Sequence, residues 1–424
     1  MGERNGFWRF CPDTTLTCSR GLRPRLTRAR VRDCGFKYMK IALVHDYLRE
    51  YGGAERVLET LHEMWPDAPV YTSFYDWQAM GKHAERFRGW DIRPSWVQKY
   101  WLIQKWISPL RFLAPKIWES FDLSEYDVVI TSSGWFMCRG VRVGRKAVHI
   151  CYIHHPPRNL YGYPTGSMYQ KYLIVRIYAS IINFFMRHYD YETAQRVDYF
   201  IANSKETARR VAKFYRRESV VIYPPVEVKS KQKTENSKVK KSLDIKYYFL
   251  SVGRLAWSKQ TDIIIRAANM LKLPLKIVGT GPEEKHLREI AGETVEFLGG
   301  VSDEQLTELY FGAKATIFAA LDEDFGIVPV ESMASGTPVI GLSQGGVIET
   351  VVDGKTGILF REPTVKSLVE AIEKFNRSYE FYKTNKTYTD CIKQAEKFSK
   401  ERFVKEMYAF VNKNMKTGFP LPRE

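Results

Sequence analysis

The sequence predicts an α/β protein in which two doubly wound, Rossmann-like domains face each other across an interdomain cleft. Its 424 residues suffice for two domains of ordinary size. From Lys40 onwards, short apolar segments alternate with longer amphipathic segments, which is typical of a parallel sheet covered by helices on both faces. A polar, lysine-rich stretch after Tyr223 interrupts this alternation, which then resumes.

Changes of composition and pattern along the chain predict five regions. Residues 1–38 carry nine Lys and Arg against three Asp and Glu and show no strand or helix period, so we predict a disordered or spurious leader, with an organelle transit peptide as the alternative. Residues 39–224 form the N-terminal Rossmann-like domain, residues 225–246 a linker or loop, and residues 247–395 the C-terminal Rossmann-like domain. Residues 396–424 are predicted as a helix that returns to the N-terminal domain.

Nine apolar segments are predicted as strands because they are short and almost continuously apolar, as strands buried on both faces are. In the first domain they are residues 41–47, 127–133, 147–154 and 199–204. In the second domain they are residues 248–255, 275–281, 295–301, 315–320 and 337–342. Ligands of such sheets bind at the carboxyl ends of the strands, so we expect the functional site in the cleft.

The net charge and the composition restrict the classes of partner and the cellular environment that the chain suits. A net charge of +17 favours anionic partners such as nucleic acid, lipid head groups or phosphorylated small molecules. Six cysteines without a pairing rhythm indicate a reducing compartment. No apolar run is long enough to span a membrane, because Arg176 and Asn183 interrupt the longest one, which we interpret as a buried or surface-lying helix.

The segment "EDFGIVPVE" (323–331) carries the strongest chemical signal. Gly326 permits close approach of the backbone, and Pro329 suits the first turn of a helix. The helix amino terminus offers free N–H groups to a phosphate. Carboxylates beside a phosphate suit the vicinal hydroxyls of a nucleotide sugar, with Glu331 on the ribose and Glu323 on the hexose. The alternative is a solvated Glu323 and a Glu331 that only compensates the helix dipole.

Two cations strengthen this interpretation. Arg254 follows a predicted strand, and Lys259 lies five residues later, at the same sheet edge as Glu323. Arginine binds phosphate oxygens through a bidentate fork and lysine as a point charge, so the pair can hold a diphosphate leaving group without a metal. The alternative is two ordinary surface cations. No D-x-D motif and no His/Cys cluster indicates a divalent ion, so we expect neither a metal nor a cofactor.

Together these motifs resemble the retaining family-4 glycosyltransferases of the GT-B fold, from Met39 to the carboxyl terminus. The matching motifs are the E-x7-E signature "EDFGIVPVE", "GRL…K" (253–259), "VGTGP" (278–282), "FLGGVSDEQL" (297–306), "GG…ET…G…TG" (345–357) and the glycine loop in "HDYLREYGGAERV" (45–57). The resemblance implies an acceptor-side first domain and a second domain that binds the nucleotide sugar. Gln260 departs from the Gly or Arg of many members.

The resemblance also implies roles for individual residues. The catalytic residues it implies are Glu323, His154, Arg254 and Lys259. The donor-binding residues it implies are Gly52, Gly53, Arg158, Gly299, Val301, Asp324, Phe325, Gly326, Ile327, Val328 and Glu331.

The segment "CYIHHPPRNLYGY" (151–163) is similar to a His-x-Pro-x-Arg segment of bacterial GDP-mannose-dependent mannosyltransferases. His154 matches their histidine and Arg158 their arginine. A histidine at the end of a strand in the cleft can hydrogen-bond the donor sugar or the acceptor. The alternatives are a buried structural histidine at 154, or His155 as the imidazole that faces the cleft.

Residues 93–118 interleave Trp and Tyr with Lys and Arg. Three interpretations stay open for this segment: contact with an anionic membrane, binding of a single-stranded nucleic acid, or a helical hairpin packed on its domain. Lipid-linked acceptors, which the resemblance implies, favour the membrane, so we expect no nucleic-acid partner.

The predicted function is retaining transfer of a hexose, mannose from GDP-mannose, to a glycan or polyprenyl-linked saccharide in polysaccharide or O-antigen-type biosynthesis. The expected location is the cytoplasm, at the inner face of the cytoplasmic membrane. The alternatives are a UDP- or ADP-sugar donor, a glycosidase with Glu323 and Glu331 as its acid–base pair, and a non-catalytic module that binds nucleotide sugars or nucleic acid.

Overall fold

The computed structural model describes residues 39–165, 172–228, 248–382 and 384–416. The predicted leader (1–38), most of the predicted linker (229–246) and the last eight residues of the predicted terminal helix lie outside these ranges.

The first domain is built on a parallel sheet of seven described strands in the order β3-β2-β1-β4-β5-β6-β7. The strands are β1 (Ile41–His45), β2 (Val70–Thr72), β3 (Ile92–Pro94), β4 (Val128–Ser133), β5 (Val148–Ile153), β6 (Tyr199–Ala202) and β7 (Ser219–Val221). Its helices are α1 (Gly53–Met64), α2 (Trp77–Met80), α3 (Trp101–Lys105), α4 (Ala114–Trp118), α5 (Leu173–Gln195) and α6 (Lys205–Tyr215). Short 3-10 helices cover Gly81–Phe87, Trp96–Lys99, Arg111–Leu113, Cys138–Gly140 and Arg158–Leu160.

The second domain is built on a parallel sheet of six described strands in the order β10-β9-β8-β11-β12-β13. The strands are β8 (Tyr248–Val252), β9 (Leu275–Val278), β10 (Val295–Gly299), β11 (Ala313–Phe318), β12 (Val339–Leu342) and β13 (Gly357–Phe360). Its helices are α7 (Thr261–Leu271), α8 (Glu284–Ile290), α9 (Asp303–Gly312), α10 (Ile327–Ala334), α11 (Val347–Thr350), α12 (Val365–Arg377), α13 (Tyr379–Tyr382) and α14 (Asn385–Glu396), with a 3-10 helix at Trp257–Lys259. Two parallel α/β domains are the predicted fold class.

All nine predicted strands are present, whereas four further strands were missed. Strands β2, β3 and β7 have three residues each, and β13 has four. A segment of three residues is too short to show a period in the sequence. Helix α5 lies on the surface, as one of the two interpretations of its segment had it, and no helix within the described ranges is long and apolar enough to cross a membrane.

The chain passes between the two domains at Val226 and again near Ser399, and these two residues pair with each other as a parallel bridge. Helix α15 (Lys400–Lys416) follows the second crossing. It contacts the first domain, where the Tyr408 hydroxyl donates to the Met64 carbonyl at 2.7 Å. The two crossings therefore lie side by side.

A buried ion pair fixes one face of the first sheet. The side chains of Arg139 and Asp190 are both fully buried, and they form a salt bridge between the turn after β4 and helix α5. The hydroxyl of Tyr161 donates to Asp190 at 2.7 Å, and Arg139 donates to the hydroxyl of Tyr215 at 3.0 Å. This network ties α5 and α6 to the sheet.

In each sheet the strand order reverses once, between β1 and β4 in the first domain and between β8 and β11 in the second. Such switch points open a crevice at the carboxyl ends of the strands. The two crevices face one cavity, which is the candidate site.

Candidate active site

A cavity of about 600 Å³ lies between the two domains at both switch points. From the first domain it is lined by residues 45–47 and 50–56, Ser132, Gly134, Trp135, His154, His155 and Asn203, together with Pro224. From the second domain it is lined by residues 252–254, Lys259, Leu306, Phe318, residues 323–328 and Glu331. The structure thus brings most of the predicted site residues, distant in sequence, to one cavity.

The loop between β11 and α10 forms the second domain's wall of this cavity. Gly326 caps the amino terminus of α10 with a φ of 83°, a left-handed conformation that favours glycine. Gly53, at the start of α1, lies opposite, and a Cβ atom there would come within 2.7 Å of Ile327 Cδ1. The glycine therefore lets the two domains approach closely at this point.

Both predicted cations lie at the cavity and pair with carboxylates. Lys259 Nζ lies 2.6 Å from Glu323 Oε2, with both side chains largely buried. Arg254 Nη1 lies 2.8 Å from Glu50 Oε2, a contact between the two domains in which both side chains are exposed. The cations, and Glu323 with them, thus border one space.

Glu331 is held by two groups that sequence reasoning missed. Arg56 in the first turn of α1 forms a salt bridge with Glu331 across the domain boundary. The Tyr310 hydroxyl donates to Glu331 Oε2 at 3.0 Å, and burial together with this carboxylate holds the pKa of Tyr310 well above its usual value. Glu331 also borders a side cavity of about 130 Å³, so its carboxylate lies at the junction of two spaces.

Asp324 forms a clamp between the domains rather than a free ligand. Arg158 Nη2 lies 2.6 Å from one carboxylate oxygen, and Arg210 Nη1 lies 2.5 Å from the other. Both arginines also donate to the Asp322 carbonyl. Burial alone would raise the pKa of Asp324, but Arg158, His155 and Arg210 outweigh it and hold this pKa below its usual value. The carboxylate therefore stays ionised.

A chain of hydrogen bonds leads to His154 from the first turn of α1. Glu55 Oε1 lies 3.3 Å from His45 Nε2, His45 Nδ1 lies 3.1 Å from Ser132 Oγ, and Ser132 Oγ lies 2.8 Å from His154 Nε2. All four side chains are buried and line the cavity.

This chain fixes the proton positions when His45 is neutral. An ionised Glu55 only accepts hydrogen bonds, so the proton of His45 lies on Nε2 and its Nδ1 accepts from the Ser132 hydroxyl. The Ser132 oxygen then accepts from Nε2–H of His154. No described residue hydrogen-bonds to the side-chain Nδ1 of His154, and burial, with His45 and His155 nearby, holds the pKa of His154 well below its usual value. With His45 neutral, the imidazole of His154 is therefore also neutral and its Nδ1 is unprotonated.

The structure does not bring three predicted donor-binding residues to the cavity lining: Arg158, Gly299 and Val301. Arg158 is engaged by Asp324. Gly299 ends β10, the edge strand, two strands away from the β8–β11 switch point. Both imidazoles of the His154–His155 pair line the cavity.

Several lining residues were missed. Glu50, Glu55 and Arg56 all lie in "HDYLREYGGAERV", of which only the glycines were assigned roles. A charged residue in the first turn of a helix behind a glycine loop was the available signal. In the described residues, no group of three or more His, Cys, Asp or Glu side chains is arranged to hold a metal ion.

Comparisons with known proteins agree with this architecture. A family model described as "Glycosyltransferase Family 4" matches residues 51–230, and one described as "Glycosyl transferases group 1" matches residues 232–398. A mouse protein named Alpha-1,3/1,6-mannosyltransferase ALG2 is 26% identical over 407 residues, covering 85% of this chain and 93% of its own. The human protein of that name is 27% identical over 322 residues, covering 68% and 74%.

Solved structures share the fold. The Anabaena HepE protein in complex with UDP-glucose superposes with a TM-score of 0.62 at 19% identity, covering 89% of this chain and all of that one. Sucrose-phosphate synthase from Thermosynechococcus elongatus has a TM-score of 0.62 at 16% identity, covering 90% and 100%. With both family models, the two sheets and the shared cavity, these matches lead to one conclusion: the chain belongs to the family-4 glycosyltransferases of the GT-B fold and is a glycosyltransferase.

Proposed function

We propose that the protein transfers mannose from GDP-mannose to a glycan or polyprenyl-linked saccharide acceptor, with retention of anomeric configuration, as in polysaccharide or O-antigen-type biosynthesis. The observation that carries this proposal is the convergence of Arg254, Lys259, Glu323 and Glu331 on one cavity. The names of the mouse and human relatives favour mannose. The Anabaena neighbour bound to UDP-glucose supports a nucleotide-sugar donor in general.

The donor diphosphate binds between the two cations. Arg254 exchanges Glu50 for phosphate oxygens, and Lys259 adds a second charge beside Glu323. The amino terminus of α10, behind Gly326, supplies backbone N–H groups to the same phosphates. The ribose hydroxyls bind Glu331.

The hexose lies on the first-domain side of Glu323. Its C1–O bond to the β-phosphate breaks, and the electron pair leaves on the phosphate oxygen, where Lys259 and Arg254 stabilise the charge. The acceptor hydroxyl oxygen forms the new bond to C1 from the same face. Its proton passes to the departing phosphate oxygen, which balances the step without a protein nucleophile.

In this proposal, His154 presents the lone pair of Nδ1 to a sugar hydroxyl. Such an acceptor orients the donor hexose or the incoming hydroxyl. Ser132 is a positioning residue, because its hydroxyl fixes which nitrogen of His154 carries the proton.

We expect Ser132→Ala to lower kcat about 5- to 150-fold, since loss of one buried hydrogen-bond partner costs about 1–3 kcal/mol. Nitrogen chemical shifts of ¹⁵N-labelled histidine should show that His154 no longer holds one tautomer. Ser133→Ala is the matched control, because Ser133 lies next in β4 and pairs with Arg139 instead. An unchanged His154 tautomer in Ser132→Ala would contradict the positioning role.

The proposed reaction uses protein cations in place of a divalent ion. We therefore expect mannose transfer to continue at the same rate after exhaustive treatment with EDTA, measured with radiolabelled donor. Activity lost to EDTA and restored by Mg²⁺ or Mn²⁺ would contradict this part of the proposal.

A thermal-shift panel of GDP-, UDP- and ADP-sugars tests the donor, because a ligand that binds the folded state raises its melting temperature. GDP-mannose should give the largest shift, and incubation with a polyprenyl-linked glycan should yield an α-mannoside by NMR. A larger rise in melting temperature with a UDP- or ADP-sugar would identify that compound, instead of GDP-mannose, as the donor. Binding without transfer to any glycan would favour a non-catalytic module.

A further inference from the structure

Helix α5 packs against the segment that follows α3 in the first domain. The Tyr178 hydroxyl donates to the Pro109 carbonyl at 2.6 Å, and Arg111 Nη2 donates to Asn183 Oδ1 at 2.7 Å. These contacts join α5 to the segment that follows α3. We call the exposed side chains of residues 99–112 and 172–185 the α3–α5 surface.

This surface is strongly apolar although it faces outward. On α5 the exposed side chains are Leu173, Ile174, Ile177, Ile181, Phe184 and Phe185. Ile174 is 82% exposed, and both phenylalanines are 65% exposed. The positions recur at intervals of three and four residues, so they form one stripe along the helix, opposite the buried Ala179 and Met186.

Large apolar side chains of α3 and its flanks are exposed as well. Trp101 is 65% exposed, Trp106 is 56% exposed and Leu102 is 55% exposed. Clusters of large, exposed apolar side chains on a protein surface mark interaction sites. Tryptophan is favoured at a lipid–water interface, because it is apolar in body and polar at its N–H.

The charged residues within these two segments are of one sign. Lys99, Lys105 and Arg176 are exposed within it, and the sequence has no Asp or Glu between Asp91 and Glu119 or between Leu173 and Asp190. A cationic, acid-free apolar face is complementary to anionic lipid head groups above an acyl layer. Two copies of the same face would instead bring like charges together.

The inner side of α5 backs the loop that borders the cavity. Asn183 Nδ2 donates to the Asn159 carbonyl at 3.0 Å, and Arg187 Nη1 donates to the Leu160 carbonyl at 3.3 Å. The same loop begins at His154 and His155, which line the cavity. The α3–α5 surface therefore lies directly behind the acceptor side of the site.

We propose that the α3–α5 surface binds the protein to an anionic membrane. Helix α5 would lie in the plane of the interface, with its apolar stripe in the acyl region. A saccharide carried on a membrane-embedded polyprenyl chain then reaches the cavity from the first-domain side. The vesicle binding stands on the surface alone, whereas this last consequence rests on the proposed function.

Co-sedimentation of the full chain with lipid vesicles tests the proposed membrane binding. The wild-type protein should pellet with phosphatidylcholine vesicles that contain phosphatidylglycerol and stay in the supernatant with phosphatidylcholine alone. The variant Ile174→Asp/Phe184→Asp should lower the partition coefficient at least about tenfold, because two charges enter the acyl region. Met270→Asp is the matched control, since Met270 is 67% exposed on α7 of the second domain.

Two results would overturn the proposal. One is equal pelleting of the double variant and the wild type. The other is a dimer of the wild type in sedimentation velocity that the double variant abolishes, which would assign the surface to a second copy.

A water-soluble acceptor with a short lipid separates the two proposals. The double variant should transfer sugar to it at the wild-type rate but should lose transfer to a vesicle-embedded acceptor. If the wild-type protein bound vesicles but transferred sugar to neither acceptor, the proposed function would be contradicted and the proposed membrane binding would be supported.

Discussion

Lys259→Ala is expected to lower kcat for sugar transfer by about 10²–10³-fold, measured by release of GDP from GDP-mannose in the presence of acceptor. Lys259 lies beside Glu323 at the carboxyl edge of the second sheet, where the leaving diphosphate gains negative charge as the C1–O bond breaks. The substitution removes the charge that stabilises this group. It also leaves the largely buried Glu323 without its cation, which further disfavours an anionic donor.

Two companion variants show whether this loss is chemical. Lys259→Arg keeps the positive charge and should recover part of the rate. Lys285→Ala removes an exposed lysine of α8 in the same domain and should leave kcat unchanged. Turnover by Lys259→Ala at the wild-type rate would rule out the assigned role.

Asp190→Ala is expected to lower the free energy of unfolding of the first domain by about 3–5 kcal/mol. Arg139 and Asp190 are fully buried, and removal of one partner strands the other charge in the core. Burial alone would lower the pKa of Arg139, but Asp190 and its neighbours outweigh burial and hold this pKa above its usual value, so the variant removes the main group that stabilises the buried guanidinium charge. Tyr161 also loses its acceptor. Urea unfolding followed by tryptophan fluorescence measures the change.

Glu192→Ala is the control for this prediction, because Glu192 lies on the same helix and pairs with His188 at the surface. Exposed pairs of this kind contribute about 0–1 kcal/mol. If Asp190→Ala were as stable as Glu192→Ala, the network around Arg139 would not hold α5 to the sheet.

The fold class, and the residues that line the second domain's wall of the cavity, could be predicted from the sequence because both depend on local patterns. Strands such as β1 and β5 are short, mostly apolar runs, and the parallel order of such strands follows from the helices between them. In "EDFGIVPVE", glycine, proline and two glutamates together indicate a loop and helix amino terminus that suit a phosphorylated sugar.

The contacts between domains could not be predicted from local patterns. Arg56 and Glu331 are 275 residues apart, and neither shows in the sequence that the other will face it. Arg210 reads as an ordinary charged residue of an amphipathic helix until the second domain places Asp324 against it. Ser132 and His45 are 87 residues apart and meet only because β1 and β4 pair in the sheet.

Isothermal titration of GDP-mannose into the wild type, Arg254→Ala and Lys259→Ala most directly tests whether both cations and the two glutamates serve one activated sugar. Each substitution should raise the dissociation constant at least about tenfold, since a hydrogen bond to a charged group is worth about 1.5–3 kcal/mol. Glu331→Gln should also raise the dissociation constant, because the ribose hydroxyls lose their carboxylate acceptor. Wild-type affinity in both cation variants would place the diphosphate elsewhere and contradict the account.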